Sequence, residues 1–289
     1  MLYAFDGTGN KDNPGADHDT NVVLFRNAYR GQNLYYKGIG TRFGILGAII
    51  GSMTGLGGRS RDHEAYEQFT GFYEAGDTTV DIVGFSRGAA LALAFANKVA
   101  KHPAKPPIRF LGLWDCVPAF GIASLPWNLG WSLDVPPDVE HCYHALSLDE
   151  RRHTFRLYRP KVLGRPSDAP KSLWEVWFAG VHSDVGGGNM NRGLSSIALN
   201  WMFKHAMACG LPIDPISVAN NAALMQPGHT SSHGPAYDVI KNPFREVRPD
   251  DFIHASVGFR SDIHACNNPP ANCPIVDDEG LETGRFVHV

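Results

Sequence analysis

The sequence is short of charge in either direction. Its 289 residues carry 26 Lys and Arg against 29 Asp and Glu, a formal net charge of −3. So slight a balance gives no basic field for nucleic acid and no polybasic patch for a membrane. Long apolar runs are missing too. The longest, residues 44–55, is too short to span a bilayer and is broken by Gly47, Gly51 and Ser52. A secretory leader is not visible: Met1-Leu2-Tyr3-Ala4-Phe5 has no basic lead-in and runs straight into Asp6. Cysteine is scarce, five in all. An odd count without a dense framework points to reduced thiols in a cytoplasmically synthesised chain, with Cys266 and Cys273 the pair that could bridge. The acidic loop of Asp12, Asp17 and Asp19 lacks the D-x-D-x-D-G spacing of a calcium loop, so it reads as solvated. Neither metal nor cofactor is expected.

Glycine is plentiful, with 31 residues, and five positions organise the rest. Gly84-Phe85-Ser86-Arg87-Gly88 has the G-x-S-x-G spacing of a nucleophile elbow. Thr79 to Val83 before it is strand-like, and Ala89 to Lys98 after it is helix-like. A strand that turns at once into a helix pushes the central hydroxyl out above the sheet edge. Glycines two positions either side let backbone approach without a clashing Cβ. Set against this is a plain glycine-rich turn with a bystander serine.

The hydrophobic pattern around the elbow alternates strands and helices. Strands are predicted at Leu2–Phe5, Leu34–Tyr36, Ile108–Trp114 and Trp174–Ala179. Helices are predicted over 22–28, capped by Asp19 or Thr20, over 59–75, and over 194–205, stopped by Gly210 and Pro212. Val139–Leu146 reads as a short helix, and Asp149-Glu150-Arg151-Arg152 as a solvated charged face. The glycine-rich stretch 44–56 is either a lid or a packed loop. Residues 119–137, with Trp127 and Trp131, either rim an acyl pocket or pack as a cap. Beyond Gln226 the chain turns polar. No repeat and no clean boundary interrupts it. The expectation is one α/β domain over 1–289 with a mostly parallel sheet flanked by helices, its core about 2–210 and a loop-rich segment about 211–289.

Three successive strands end in Ser86, Asp115 and His182. In a parallel sheet those ends share one edge, where such sheets bind ligands. Serine is a weak nucleophile until a base takes its proton; His182 would be that base, and Asp115 would fix its tautomer. His254 is the rival base and Asp184 the rival acid, although Asp184 sits close enough to His182 to tie the Gly186–Gly188 turn or cap the next helix instead. An oxyanion needs backbone donors. The amide of Arg87, next after the serine, is one, and Gly7 in the turn Asp6-Gly7-Thr8 is the other, with Thr8 the alternative. Asp6 is expected to anchor that turn against Arg87. The reaction class is carboxylic ester hydrolysis. Acyl transfer on the same residues, and a non-catalytic interaction module that keeps the fold, are the alternatives.

Eight motifs occur in order: Phe5-Asp6-Gly7-Thr8, Gly38-Ile39-Gly40-Thr41, Gly76-Asp77, Gly84-Phe85-Ser86-Arg87-Gly88-Ala89, Leu113-Trp114-Asp115-Cys116-Val117, His144-Ala145-Leu146-Ser147-Leu148-Asp149-Glu150, the run from Trp177 to Gly188, and Ile253-His254-Ala255-Ser256-Val257. Together they resemble the family of α/β-hydrolases that includes type VI secretion phospholipase effectors, over roughly residues 2–260. Two positions depart from the usual pattern: Gly9, where a tryptophan usually follows the threonine, and Ala179, where proline is usual. The resemblance implies an α/β-hydrolase fold and a triad of Ser86, Asp115 and His182. It also implies a phospholipid or other ester substrate, peripheral membrane contact, delivery out of the producing cell, and a secretion or immunity partner.

Overall fold

The structure, a computed structural model, describes residues 1–7, 10, 18–38, 56–118, 131–164, 172–190, 192–231, 242–260 and 266–286, with backbone only at 56–60. The candidate lid at 44–56 and residues 119–130 of the candidate pocket rim therefore fall almost wholly outside the described residues.

Nine strands form one sheet: β1 Leu2–Phe5, β2 Asn33–Tyr36, β3 Val80–Phe85, β4 Ile108–Trp114, β5 Val139–Ser147, β6 Leu173–Phe178, β7 Phe252–His254, β8 Pro274–Val276 and β9 Glu282–Arg285. Their order across the sheet is β2-β1-β3-β4-β5-β6-β7-β8-β9. Every neighbouring pair is parallel except β8 and β9. Among the described residues the α-helices are α1 Asn21–Ala28, α2 Leu56–Glu74, α3 Arg87–Val99, α4 His182–Gly186, α5 Arg192–Ala208 and α6 Pro215–Ala222. Thr20 caps α1 by accepting the Val23 N–H.

Alternation along the strands builds two large cores, beside a third, smaller cluster of Leu146, Leu148, Trp177 and Ile253 around β5 to β7. Leu2, Ala4, Val83, Phe85, Phe110 and Trp114 face Val22 and Phe25 of α1 and Trp201 and Phe203 of α5. Tyr3, Phe5, Ile82, Leu111 and Leu113 face the other way, onto Phe69 of α2 and the alanine-rich side of α3. Burying each such aromatic or aliphatic side chain contributes about 1.5–3 kcal/mol. Phe25 stacks on Phe203 with centroids 5.5 Å apart and meets Trp114 edge-on at 5.9 Å, which locks α1 across the strand that ends at Asp115.

The winding positions the site. From β1 the chain steps outward to β2, then crosses back past β1 to β3. The carboxyl ends of β1 and β3 thus flank a topological switch point, where helices leave on opposite faces and a crevice opens. Gly7 follows β1 and Ser86 follows β3.

One expectation needs correction. Val139–Ser147 is a strand, not a helix. It lies between β4 and β6 in the middle of the sheet, pairing Leu113 with His144 and Leu146 with Trp177. Covered on both faces from Cys142 onward, it shows no alternation of burial to mark it as β. Among the described residues, the loop-rich segment 211–289 also contributes α6 and the short strands β7 to β9, which extend the same sheet.

Candidate active site

β3 ends at Phe85 and α3 begins at Arg87, so Ser86 alone makes the turn. Its backbone takes φ 59° and ψ −124°, a conformation that L residues hold only under constraint. The constraint is visible. Ser86 N donates to Trp114 O at 3.0 Å, and Ser86 O accepts from Ala89 N at 3.1 Å and Val117 N at 3.2 Å. The elbow is thereby stitched to both sides of Asp115, itself at φ 43°. A Cβ on Gly84 would come 2.6 Å from Gly88 O, and one on Gly88 would come 2.2 Å from Phe5 O. Both glycines are therefore demanded by close backbone approach.

Asp115 is fully buried. Its Oδ2 lies 2.5 Å from His182 Nδ1, and its Oδ1 accepts Ser147 N–H at 3.0 Å. Arg245 grips both oxygens, Nη1 to Oδ1 at 2.6 Å and Nη2 to Oδ2 at 3.1 Å. Burial alone would push the carboxyl up. The Arg245 charge, with the bond to His182, overcomes that and holds it well below the usual carboxylate range.

His182 opens the one-turn helix α4. Its ring sits 4.6 Å from the Phe85 ring and 4.7 Å, edge-on, from Phe155. A Cβ on Gly186 would overlap the Phe85 ring at 1.9 Å, so a glycine there lets α4 settle against the elbow. With Nδ1 turned to Asp115, Nε2 is the ring nitrogen left over, and it makes no hydrogen bond among the described residues. Ser86 Oγ makes none either, so Ser86 and His182 share the sheet edge without a hydrogen bond between them. Such bonds are commonly long before substrate arrives and tighten on binding.

The segment after β5 supports the base from behind. The His182 N–H donates to Glu150 Oε2 at 3.2 Å, while Arg152 clasps Glu150 through Nε at 2.8 Å and Nη2 at 2.6 Å. Burial would raise the Glu150 carboxyl, but Arg152 prevails and lowers it. Asp149 accepts Gly180 N–H at 2.6 Å and Asn267 N–H at 2.8 Å. Both acids are buried. The solvated charged face expected at 149–152 is thus an interior brace, because the chain turns inward after the central strand instead of out to water.

The rivals lie elsewhere in the network. Asp184 Oδ2 accepts Val181 N–H at 3.0 Å and Ser231 Oγ–H at 2.9 Å, and Oδ1 accepts Asn189 Nδ2 at 3.0 Å. It closes the first turn of α4. His254 spends Nδ1 on Ser256 Oγ at 2.8 Å and Nε2 on Asp278 at 3.1 Å.

The turn after β1 differs from expectation. Asp6 is anchored by Thr20 Oγ1 at 2.9 Å and Tyr35 Oη at 2.6 Å, not by Arg87. Two neutral hydroxyls suit this acid because burial pushes it up to about 6. Gly7 does border the nucleophile, since a Cβ there would lie 3.3 Å from Ser86 Cβ. Its N–H, however, donates to Asp6 Oδ1 at 2.7 Å and is not a free oxyanion donor in this conformation. The Arg87 N–H is among the first four amides of α3, which have no acceptor within the helix.

Sequence reasoning missed Arg245 and Glu150. The Glu150 motif was in view but was taken for surface charge. Arg245 stands in a polar stretch with no periodicity to single it out. Among the described residues no group of three or more His, Cys, Asp or Glu could hold a metal ion, and no helix is long and apolar enough to cross a membrane.

Comparison with known proteins agrees with this architecture. The crystal structure of an uncharacterized protein from Pseudomonas aeruginosa superposes with a TM-score of 0.54 at 22% identity, covering 80% of this chain and 51% of that one. The structure of the Tle1 effector bound to the VgrG spike from the type 6 secretion system matches with a TM-score of 0.43, also at 22% identity, covering 65% of this chain and 51% of that one. This chain spans about half the length of either, and the first likeness speaks to the fold alone. No curated protein matches. The sequence itself matches the family described as T6SS, phospholipase effector Tle1-like, catalytic domain, over residues 1–102 and 95–205. These spans cover well over half of the sequence, and the chain belongs to that Tle1-like catalytic-domain family.

Proposed function

We propose that the chain is a metal-independent serine hydrolase of carboxylic esters, with phospholipid acyl esters as the substrate class. The observation that carries this reading is the Asp115–His182 pair at 2.5 Å, with Nε2 left unbonded on the sheet edge that bears the strained Ser86. Family membership supports the lipid substrate.

In this reading Ser86 Oγ attacks the ester carbonyl as its proton passes to His182 Nε2. Asp115 holds the imidazole by Nδ1 and stabilises the imidazolium without taking the proton. The Arg87 amide receives the developing oxyanion, joined by Gly7 once its N–H parts from Asp6. Collapse expels the alcohol, which takes the proton from His182, and leaves an acyl group on Ser86. Water, deprotonated by the same Nε2, releases the carboxylic acid. Membership of a type VI secretion effector family carries the further reading of delivery out of the producing cell, with a secretion partner.

The test is turnover of short p-nitrophenyl esters, long-chain esters and phospholipid vesicles by the wild-type protein and Ser86→Ala. The substitution should lower kcat by about 10⁴-fold or more while the thermal melt stays in place. A fluorophosphonate probe should label wild type and not the variant. Undiminished turnover by Ser86→Ala would sink the proposal.

A further inference from the structure

The family match and the motifs account for a serine, an acid and a base, but not for the cation that holds the acid. Arg245 lies 130 residues from Asp115 in sequence, and its side chain is almost wholly buried. Besides gripping both carboxylate oxygens, it donates through Nη1 to Ser147 O at 2.9 Å and through Nη2 to Phe155 O at 2.7 Å. Its own backbone is fixed: Asn267 Nδ2 donates to Arg245 O at 2.8 Å and to Leu148 O at 3.1 Å. Two residues of this network, Ser147 and Phe155, bear directly on the pair that faces substrate. Ser147 N–H shares Asp115 Oδ1 with Arg245, and Phe155 packs edge-on against the His182 ring.

A guanidinium in this place has a cost and a use. Two buried charges are expensive to desolvate, and replacing them by apolar groups is often neutral for stability. A fork that meets both oxygens nonetheless sets the plane of the carboxylate, which a single donor could not do. It also offsets the negative charge that the imidazole faces across 2.5 Å.

We propose that Arg245 is a positioning residue of the hydrolytic centre: it orients Asp115 on His182 Nδ1 and tempers the carboxylate's pull on a proton at Nε2. The proposal rests on the triad reading above for its meaning in catalysis, but its physical content is a property of the free protein. Around His182 the charged groups are Asp115 at the end of β4, Asp149, Glu150 and Arg152 after β5, Asp184 on α4 itself, and Arg245. Two carboxylates bond His182 directly, Asp115 at the ring and Glu150 at the backbone, and each is matched by its own arginine. The base therefore sits in a cradle whose direct contacts are close to neutral. Without Arg245 an uncompensated carboxylate would favour the imidazolium, and His182 would keep its second proton to higher pH.

The experiment follows the His182 imidazole by NMR through a pH titration of the free protein, with kcat and KM for a soluble ester measured in parallel. Arg245→Met removes the charge and keeps an apolar stem. Its His182 titration midpoint, and the acid limb of its rate profile, should move up by about one pH unit. Arg245→Lys keeps the charge but not the fork. It should leave the midpoint in place and lower kcat about tenfold with KM little changed. A midpoint unmoved in folded Arg245→Met would overturn the proposal, as a structural tie alone does not set that titration. If the Met variant does not fold, Arg245→Lys decides, and a wild-type kcat there would overturn it. Loss of the hydrolase reading would show separately, as ester turnover that survives Ser86→Ala, and the NMR midpoints would still test Arg245.

Discussion

Two buried histidine–carboxylate pairs look alike at first. His182 Nδ1 meets Asp115 at 2.5 Å, and His144 Nδ1 meets Glu175 at 3.0 Å. Each carboxylate is also held by an arginine, Arg245 on Asp115 and Arg159 on Glu175. The difference is at the second nitrogen. His144 Nε2 accepts the Cys116 N–H at 3.1 Å, which fixes its proton on Nδ1. His182 Nε2 carries no such bond among the described residues. His254, with both nitrogens committed, falls in with His144. On the proposed reading, what suits His182 rather than the other two to act as base is the far nitrogen left unbonded.

That distinction can be broken by substitution. The largest effect belongs to His182→Ala, which should lower kcat on a soluble ester by about 10⁴-fold. His254→Gln should leave it within about threefold of wild type. Comparable losses at both positions would erase the contrast. Next in size is His144→Leu. It orphans the Cys116 N–H and the His144 side of Glu175, so it should cost about 3 kcal/mol of stability in urea unfolding, with turnover per folded molecule falling far less than for His182→Ala. The smallest effect is a slope. Burial pushes Asp6 up to about 6, so between its ordinary value near 4 and about 6 the folded chain holds a proton that the unfolded chain releases. Stability from this group is present at low pH and lost as pH rises through 6. Asp6→Asn removes the dependence. Relative to wild type it should gain up to about 3 kcal/mol between pH 4 and pH 7, read from unfolding midpoints at each pH. A flat difference would mean that Asp6 ionises freely.

What the sequence disclosed follows the same physics. Ser86, Asp115 and His182, the proposed triad, stand out in the sequence because each follows a short apolar strand, and the elbow because Gly84 and Gly88 mark backbone that nothing larger could occupy. Helix α1 was legible from its cap at Thr20 and its apolar stripe. Strand β5 was not, since burial on both faces removes the alternation that separates strand from helix over a short run. Nor was the brace of Asp149 and Glu150, because a run of charges looks the same whether the chain turns outward or inward. Arg245 left no local trace at all; only the folded chain brings it to Asp115. The anchor of Asp6 was misjudged for a related reason. A carboxylate that burial drives toward its neutral form needs hydroxyls more than a cation, and Tyr35 and Thr20 supply them.

The contacts that shape the elbow also bear on biosynthesis. Gly88 lies against the carbonyls of Phe5 and Asp6 at the start of the chain, and Asp115 is gripped from position 245. On the proposed reading, a nascent chain that carries Ser86, Asp115 and His182 but has not yet reached Arg245 would lack the clamp on Asp115, and hydrolysis would wait until that residue is made and folded into place.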